Sequence, residues 1–362
     1  MSFAWPEGFP RVPAGAWAER PLEELALKYD TVESHGWYDN LEPTVAQLDA
    51  FLEDGDLLVD YSGGTGILAE RLLARAGGRE FGILIVDSSP KFLRLALEKF
   101  RDEPRLAFRL IRYLKEERRL QRLEEVLEPA LRERGADALV STNAIHLYYD
   151  LPRTARSWAR LLRPSGKLFV QSGNIRNPEM PEDEWIIDET VEAIHRAAVE
   201  RVRTDPAWAR YRAALDDEAY MAAHDALRRK YFLPVRPLSY YLDVLREAGL
   251  ETESVRRAAI RAEVAEWYEF LSVYHEGVLG WVGGAPKLTG ETPPAEAVED
   301  RLELLRQAMD RVFGGRRAFR ACWTYLTCAP RPGSSGAATG PESVADSGGA
   351  TQAPTDPGGA DA

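Results

Sequence analysis

The sequence contains few cysteines. Only two of its 362 residues are cysteine, Cys322 and Cys328, and both lie in RAFRACWTYLTC. On a strand that rises about 3.3 Å per residue, these positions would lie roughly 20 Å apart, which is too far for a disulfide. We therefore expect two buried thiols, and their spacing does not suit a zinc site.

Long hydrophobic runs and a secretory signal are also missing. No apolar stretch approaches the roughly 18 to 20 residues that a membrane-spanning helix needs. The first residues, MSFAWPEGFP, do not follow the pattern of a basic segment before an apolar one. The sequence therefore predicts a protein without membrane association, located in the cytoplasm.

Positive charge is in deficit, with 46 Lys and Arg against 58 Asp and Glu and a net charge of −12. Binding to a phosphate backbone depends on Lys and Arg contacts that release counterions, so nucleic acid is disfavoured as the main partner. A basic stretch at 101–122 is interrupted by glutamates. We interpret this stretch as a solvated face.

Strand and helix patterns alternate along much of the chain. Strands are predicted at DLLVDYSGG, GILIVDSS, RLAFRLIRY, ADALVSTNAIH and GKLFVQSG, with helical segments between them. The charged segment LKEERRLQRLEEVLEPALRERG is predicted as one of these helices, and RAFRACWTYLTC as the last strand. Such alternation implies parallel strands joined by right-handed crossovers, so the fold class is α/β with a doubly wound sheet.

The alternation stops between Ile175 and Pro234, where apolar residues follow helical spacing. This segment is predicted as a helical insertion. From about Pro330 onward the chain is rich in Gly, Pro, Ser and Ala and has almost no large apolar residue. We predict that this tail is disordered.

The segment LLVDYSGGTG, at 57–66, is the most informative stretch. A strand that ends in a loop of small residues and opens a helix presents backbone N–H groups and a positive helix end to a ligand. Asp87 ends the neighbouring strand, 27 positions after Asp60. It can accept hydrogen bonds from both hydroxyls of a ribose. Alternatively, Asp87, Ser88 or Ser89 caps the helix that follows.

Two nucleotide-binding interpretations fit the loop. Gly64, Gly66 and Ala69 satisfy the G-x-G-x-x-A fingerprint of dinucleotide binding, which keeps an NAD(P)-dependent oxidoreductase as an alternative. Asp60, however, places an acid directly before the loop, where dinucleotide folds usually keep an apolar strand end.

DYSGGTG, IVDSSPKFLRLA and the Leu-x-Pro-x-Gly-x-Leu turn at 162–168 resemble motifs of the class I S-adenosylmethionine-dependent methyltransferases. The resemblance covers residues 40–175 and 238–329. It implies a Rossmann-like, mostly parallel sheet of seven strands with an antiparallel last strand, and S-adenosylmethionine as cofactor. Ser62 stands where the family usually has its first glycine.

The resemblance also implies where the cofactor binds. It assigns cofactor contacts to Asp60, Tyr61, Ser62, Gly63, Gly64, Gly66, Asp87, Ser88, Asn143 and Tyr38. The acid that the family often has after the third strand is absent, so the adenine contacts are assigned to the backbone at Arg112 and Tyr113. For Asn143 an amide that closes its own turn is the alternative, and for Tyr38 ordinary packing.

His146 follows the fourth strand and is the candidate catalytic base, because the carboxyl ends of parallel strands face the ligand. The alternative is a structural histidine or one that packs against the cofactor. His195 and His224 are isolated in helical stretches, and neither has neighbours with metal-ligand spacing, so no metal is predicted.

These features predict a methyltransferase that acts on a small molecule by in-line displacement. The Asn-Pro-Pro-aromatic motif of nucleic-acid amino-methyltransferases is absent after the fourth strand. A non-catalytic S-adenosylmethionine-binding regulatory protein is a second alternative, and the oligomeric state stays open, with a homodimer as one option. The predicted organisation is a helical cap at 1–40, the cofactor-binding core at 41–175, an insertion over the substrate at 176–234, the rest of the core at 235–329 and the tail at 330–362.

Overall fold

The computed structural model describes residues 3–332. Of the predicted disordered tail, residues 333–362 lie outside the described residues. Seven long strands form the central sheet. They are β1 (Leu57–Tyr61), β2 (Gly82–Asp87), β3 (Leu106–Leu110), β4 (Ala136–Thr142), β5 (Leu162–Ser172), β6 (Leu250–Glu263) and β7 (Ala318–Pro330).

The strand order is β3-β2-β1-β4-β5-β7-β6. Neighbouring strands from β3 to β5 pair in parallel, whereas β7 is antiparallel to both β5 and β6. A two-residue strand, Glu184–Trp185, pairs with β7. The predicted α/β fold with a mostly parallel sheet and an antiparallel last strand is therefore confirmed.

The central strands are apolar on both faces because helices cover both sides of the sheet. Leu58 and Ile83 pack into the hydrophobic cluster on one face, and Val59 and Leu84 pack into the cluster on the other. This alternation gives continuous aliphatic runs along β1 and β2. It also fixes which side chains at the strand ends reach each face.

Fifteen α-helices surround the sheet in residues 3–332. They are α1 (Glu24–Asp30), α2 (Glu42–Phe51), α3 (Ile67–Arg75), α4 (Pro90–Lys99), α5 (Leu123–Val126), α6 (Pro129–Arg134), α7 (Leu151–Leu161), α8 (Ile187–Thr204), α9 (Arg212–Asp216), α10 (Glu218–Tyr231), α11 (Leu238–Glu247), α12 (Val264–Val273), α13 (His275–Leu279), α14 (Pro286–Thr289) and α15 (Ala295–Phe313). Short 3-10 turns lie at Ala16–Glu19, Thr31–Ser34, Gly36–Leu41, Ile145–Leu147 and Pro206–Tyr211.

The prediction of one helix over the charged segment after β3 is wrong. A small hairpin pairs Tyr113–Leu114 with Arg119–Leu120, and two short helices, α5 and α6, follow it. Glutamates pair with the arginines across the bend, since Arg119 contacts both Glu117 and Glu125. Proline begins α6, where its missing N–H is not needed, and so separates it from α5. Ion pairing between the hairpin and α5 therefore replaces the expected helical face.

The insertion at 176–234 is helical, as α8, α9 and α10. A second group of helices, α12 to α15, lies between β6 and β7 and was not predicted. α8 packs against α15, and Trp267 Nε1 in α12 donates a 3.0 Å hydrogen bond to Thr190 Oγ1 in α8. The two helical segments, which are distant in sequence, thus form one layer.

Cys322 and Cys328 are free and buried in β7, as predicted. Burial raises the pKa of the Cys322 thiol to about 11. Within residues 3–332, no helix is long and apolar enough to cross a membrane.

Candidate active site

The glycine loop wraps closely around Asp60. Ser62 and Gly63 both donate backbone hydrogen bonds to the Val86 carbonyl of β2, at 2.7 and 3.2 Å. A Cβ on Gly63 would lie 2.7 Å from Asp60 Oδ2 and 3.0 Å from an Ile85 methyl group. Contacts this short exclude any side chain at position 63, so the loop backbone itself covers the carboxylate.

Gly66 closes the loop at the start of α3. Its φ is 82°, in the left-handed region, and a Cβ there would lie 2.6 Å from the Phe100 ring. Glycine is therefore required at this position both for its conformation and for the close packing. Gly66, one of the glycines of the dinucleotide fingerprint, is therefore needed for the turn and for the packing of the helix, whether or not a ligand binds.

Ser62 keeps the conformation that glycine would supply. Its φ is 64°, and the Tyr148 hydroxyl donates a 2.8 Å hydrogen bond to its Oγ. The same Tyr148 hydroxyl lies 2.9 Å from Ser141 Oγ. A left-handed residue other than glycine costs about 1 kcal/mol, and a hydrogen bond contributes a similar amount. Serine in place of glycine at position 62 thus leaves the path of the turn intact. Through Tyr148, its side chain also links the turn to the loop after β4.

The carboxylate of Asp60 is buried without a hydrogen-bond partner among residues 3–332. The residue is 0 % exposed, and neither carboxylate oxygen has a hydrogen-bond partner in the described chain. Burial, together with the nearby Asp87, raises the Asp60 pKa to about 7. Thr65 Oγ1, in the same loop, is likewise buried without a hydrogen-bond partner among the described residues. Buried polar groups are normally satisfied, so these atoms are suited to a ligand that brings positive charge and donors.

Asp87 joins the loop to α4. Its Oδ2 accepts a hydrogen bond from Gly64 N at 2.8 Å, and its Oδ1 accepts one from Ser89 N at 2.7 Å. The Ser89 side chain is the N-cap of α4. Burial raises the Asp87 pKa although these N–H groups act in the opposite direction. Each carboxylate oxygen retains a lone pair for a further donor such as a ribose hydroxyl.

Asn143 is held by two side chains and one backbone carbonyl from three other elements. Trp323 Nε1 on β7 donates to its Oδ1 at 2.8 Å, and its Nδ2 donates to Asn40 Oδ1 at 3.1 Å. Gln171 Nε2 donates to the same Asn40 oxygen at 3.0 Å, and the Gln171 carbonyl accepts from Asn143 N at 2.9 Å. The Asn143 amide therefore does not close its own turn. Asn40, fully buried, was missed because its partners are distant in sequence.

Both ring nitrogens of His146 are hydrogen-bonded inside the protein. Asp188 N donates to Asn174 Oδ1 at 2.8 Å, which turns the Asn174 amide nitrogen toward His146 Nε2 at 3.0 Å. Nε2 must then accept, so Nδ1 carries the proton and donates to Ser172 Oγ at 3.0 Å. Burial lowers the His146 pKa to about 3. His146 is thus neutral, and its basic lone pair is already engaged.

A cleft of about 350 Å³ lies above the glycine loop. It is lined by residues of the cap, the loop and the end of β4, namely Tyr29, Tyr38, Leu41, Ser62, Gly63, Gly64, Thr65, Ile67, Leu68, Thr142 and Asn143. The cleft thus brings together Tyr38, Ser62, Gly63, Gly64 and Asn143 of the predicted cofactor residues. Tyr29 was not among the predicted cofactor residues.

Other predicted residues lie elsewhere. Tyr61 packs edge-on against Tyr148 and Trp158, with ring centroids 5.6 and 5.4 Å away, while Ser88 is exposed beside Asp87. Arg112 and Tyr113 are exposed at the hairpin. The backbone N–H of Arg112 donates to the Gln121 side chain, and its carbonyl accepts from Gln121 N. The backbone atoms expected to contact adenine are therefore already paired in the hairpin.

His195 and His224 are not isolated, contrary to the sequence analysis. Their rings stack with centroids 5.5 Å apart and an interplanar angle of 18°. Neither nitrogen of His224 has a hydrogen-bond partner within residues 3–332. Burial, with His195 nearby, lowers the His224 pKa to about 3. In the same part of the chain, no three or more His, Cys, Asp or Glu side chains are grouped to hold a metal ion.

Comparison with known proteins bears on the glycine loop and the strands around it. Residues 59–168, from β1 to β5, match the family model described as a methyltransferase domain. The chain therefore contains a segment that matches a methyltransferase domain, over a little under a third of its length. It also matches the hybrid PKS-NRPS synthetase apdA of Emericella nidulans, with 28% identity over 131 residues, or 36% of this chain. It spans only 3% of the length of that curated relative.

Solved structures give weaker similarities. The YcgJ protein from Bacillus subtilis has a TM-score of 0.46 at 12% identity, over 82% of this chain and 100% of YcgJ. The [4+2]-cyclase SpnF has a TM-score of 0.46 at 17% identity, over 82% and 81% of the two chains. Haemonchus contortus phosphoethanolamine N-methyltransferase 2 has a TM-score of 0.44 at 12% identity, over 84% and 56%. At such scores these likenesses carry no weight for activity.

Proposed function

We propose that this protein binds S-adenosylmethionine in the cleft above the glycine loop and transfers its methyl group to a small-molecule acceptor. The observation that carries the proposal is the buried carboxylate of Asp60, which has no hydrogen-bond partner within residues 3–332 and lies under that loop. The ammonium group of the cofactor's amino-acid end would supply the missing charge. A buried charge is tolerated when it is paired and hydrogen-bonded.

The other residues of the cleft fit the same cofactor. The side-chain-free turn at Gly63 and Gly64 leaves room for its amino-acid end, and Asp87 lies beside the turn with free lone pairs for ribose hydroxyls. Bound S-adenosylmethionine supplies a methyl group on a positively charged sulfur. The rings of Tyr29 and Tyr38 face the cleft from the cap, where an aromatic face favours a cation.

The protein's contribution to transfer would be alignment and exclusion of water, which suffice for much of an in-line displacement. Asn40, Gln171 and Trp323 fix the amide of Asn143 at the cleft wall. A general base is needed only when the acceptor atom carries a proton at the working pH. His146 can serve as that base only after Asn174 releases its Nε2.

Three features support a small molecule as the acceptor. The cleft is narrow, the chain carries a net charge of −12, and the matched relative is named as a synthetase of the hybrid PKS-NRPS type. An acidic chain disfavours a nucleic-acid acceptor because few counterions would be released. The acid before the glycine loop likewise disfavours the oxidoreductase alternative.

Isothermal titration with S-adenosylmethionine and with S-adenosylhomocysteine tests the proposal. We expect micromolar binding of both, and the absence of binding by both would contradict it. Titration of NADH followed by cofactor fluorescence provides the comparison. Binding of NADH in place of the sulfur cofactors would favour the oxidoreductase alternative.

A further inference from the structure

A second cleft, of about 550 Å³, lies between the N-terminal cap and α12 and opens to solvent. Its walls come from Thr31 and Val32 on one side and from Phe270 and Val273 on the other. Tyr29 lines this cleft as well as the cleft above the glycine loop. The two spaces are therefore neighbours that share one side chain.

In-line displacement requires the acceptor atom to approach the methyl group directly. The acceptor must then occupy space that adjoins the cofactor cleft, and the second cleft meets this condition through Tyr29. The helical insertion at 176–234 lines neither cleft. It supports the second one from behind, through the hydrogen bond from Trp267 on α12 to Thr190.

The wall formed by α12 is aromatic and firmly packed. Phe270 stacks on Trp267 with ring centroids 5.1 Å apart and an interplanar angle of 9°, and Tyr274 lies 5.0 Å from Phe270. Trp37 of the cap packs edge-on against Phe270 at 5.7 Å. A rigid aromatic wall opposite Val32 favours a flat, apolar ligand.

Tyr29, which lines both clefts, carries a hydroxyl group. This hydroxyl lies 3.3 Å from that of Tyr38, which lines the cleft above the glycine loop. Burial and the neighbouring Tyr29 raise the pKa of Tyr274, so these phenols stay protonated at neutral pH and can both donate and accept.

Charged side chains also line the cleft, namely Lys28 and Glu269. Lys28 is paired with Glu24 at 2.8 Å, and His35 Nε2 lies 3.4 Å from Glu269. Trp37 donates to His35 Nδ1, so Nε2 carries the proton that faces Glu269. The lysine of the lining is thus already paired with a glutamate.

We propose that this second cleft binds the methyl acceptor, and that the acceptor is a planar, largely apolar molecule with a hydroxyl group next to Tyr29 and Tyr274. This assignment rests on the proposed methyl-transfer function, because it treats the adjoining cleft as the cofactor site. It differs from the expectation that the insertion at 176–234 covers the substrate directly.

The test uses 6-fluoro-2-naphthol as a planar hydroxyl-bearing probe, observed by fluorine NMR with the full-length protein saturated with S-adenosylhomocysteine. V273W and T31W fill the cleft from its two opposite walls. V255W is the matched control, because Val255 on β6 is 41% exposed and Val273 is 40% exposed. We expect the probe to bind, both cleft variants to weaken it by about tenfold or more, and V255W to leave it unchanged.

Equal probe binding by all four proteins, or no probe binding by the unaltered protein, would overturn the assignment. Titration of S-adenosylhomocysteine alone separates this outcome from failure of the methyl-transfer proposal. Retained cofactor binding without cleft-dependent probe binding refutes only the acceptor site. Cleft-dependent probe binding without cofactor binding refutes the methyl-transfer function and, with it, the identification of the ligand as a methyl acceptor.

Discussion

Replacing Asp60 with asparagine removes a charge that the folded protein buries without a partner. The pKa of Asp60 is about 7 in the folded protein, against an ordinary value of 3.8. The folded state therefore binds more protons than the unfolded state between these two values. By linkage, Asp60 lowers the free energy of unfolding progressively as the pH rises from about 4 to 7. D60N should remove this loss.

The magnitude follows from the difference between the two pKa values. About three units correspond to about 4 kcal/mol above pH 7. A buried asparagine amide without partners costs about 1–3 kcal/mol, which reduces the gain. We expect D60N to be about 1–3 kcal/mol more stable than the unaltered protein at pH 8, or about 1–4 °C higher in Tm. Near pH 4 this advantage should disappear.

Cofactor binding should change in the opposite direction. Loss of a charge-assisted hydrogen bond to the ammonium group costs about 1.5–3 kcal/mol, or about 10- to 150-fold in Kd. In the unaltered protein the affinity for S-adenosylhomocysteine should rise with pH up to about 7, because the carboxylate must ionise to pair. In D60N this pH dependence should be absent.

Thermal denaturation between pH 4 and 8 and isothermal titration at the same pH values measure both effects. D102N serves as the control, because Asp102 is exposed and far from the loop in sequence, and it should change neither quantity. A D60N protein that is less stable at pH 8, or that binds S-adenosylhomocysteine as well as the unaltered protein, would refute the role assigned to Asp60.

Three further substitutions test the packing around the site and the helical layer. G63A places a methyl group 2.7 Å from the Asp60 carboxylate and should lower the free energy of unfolding by about 1–3 kcal/mol in urea denaturation. G36A is the control, because its Cβ would meet only a Glu266 oxygen at 3.8 Å, and its free energy of unfolding should change by less than about 0.5 kcal/mol. H224L should stabilise the protein by about 2 kcal/mol at pH 5, because the His224 pKa of about 3 lies below its ordinary value of 6.5. As the pH falls between these two values, protonation of this histidine favours the unfolded state. Equal pH dependence of stability in H224L and the unaltered protein would contradict this. N40A should leave the amides of Asn143 and Gln171 without their shared acceptor. We expect it to lower the free energy of unfolding by about 2–4 kcal/mol in thermal denaturation and to weaken the binding of S-adenosylhomocysteine. Unchanged stability would exclude this role for Asn40.

The sheet could be predicted because its strands are short aliphatic runs that end at recognisable loops. β1 and β2 are apolar on both faces, and Asp60 and Asp87 mark where they end. The hairpin at 113–120 was missed because a charged segment fits an exposed helix as well as ion-paired turns. The helices α12 to α15 were missed because the apolar surface that they bury belongs largely to the distant insertion.

The parts of the site that could be predicted are those in which a single local contact determines the residue type. The small residues at 63 and 66 are required by contacts with Asp60 and Phe100, so the local sequence identifies them. The environment of His146 depends on Ser172, Asn174 and, through Asn174, on Asp188. No local pattern encodes such a network, which forms only when β5 and α8 meet the end of β4.

The position of β7 constrains the order in which the protein can fold during synthesis. This strand is the last one within residues 3–332, yet it lies between β5 and β6 and supplies Trp323, which orients Asn143. A growing chain that has not yet released residues 318–330 has β5 as an open sheet edge and lacks a donor at the cleft wall. Contacts this distant in sequence form late, and exposed edges invite association meanwhile. The nascent chain therefore completes its cleft only when β7 leaves the ribosome, and until then it depends on protection of that edge.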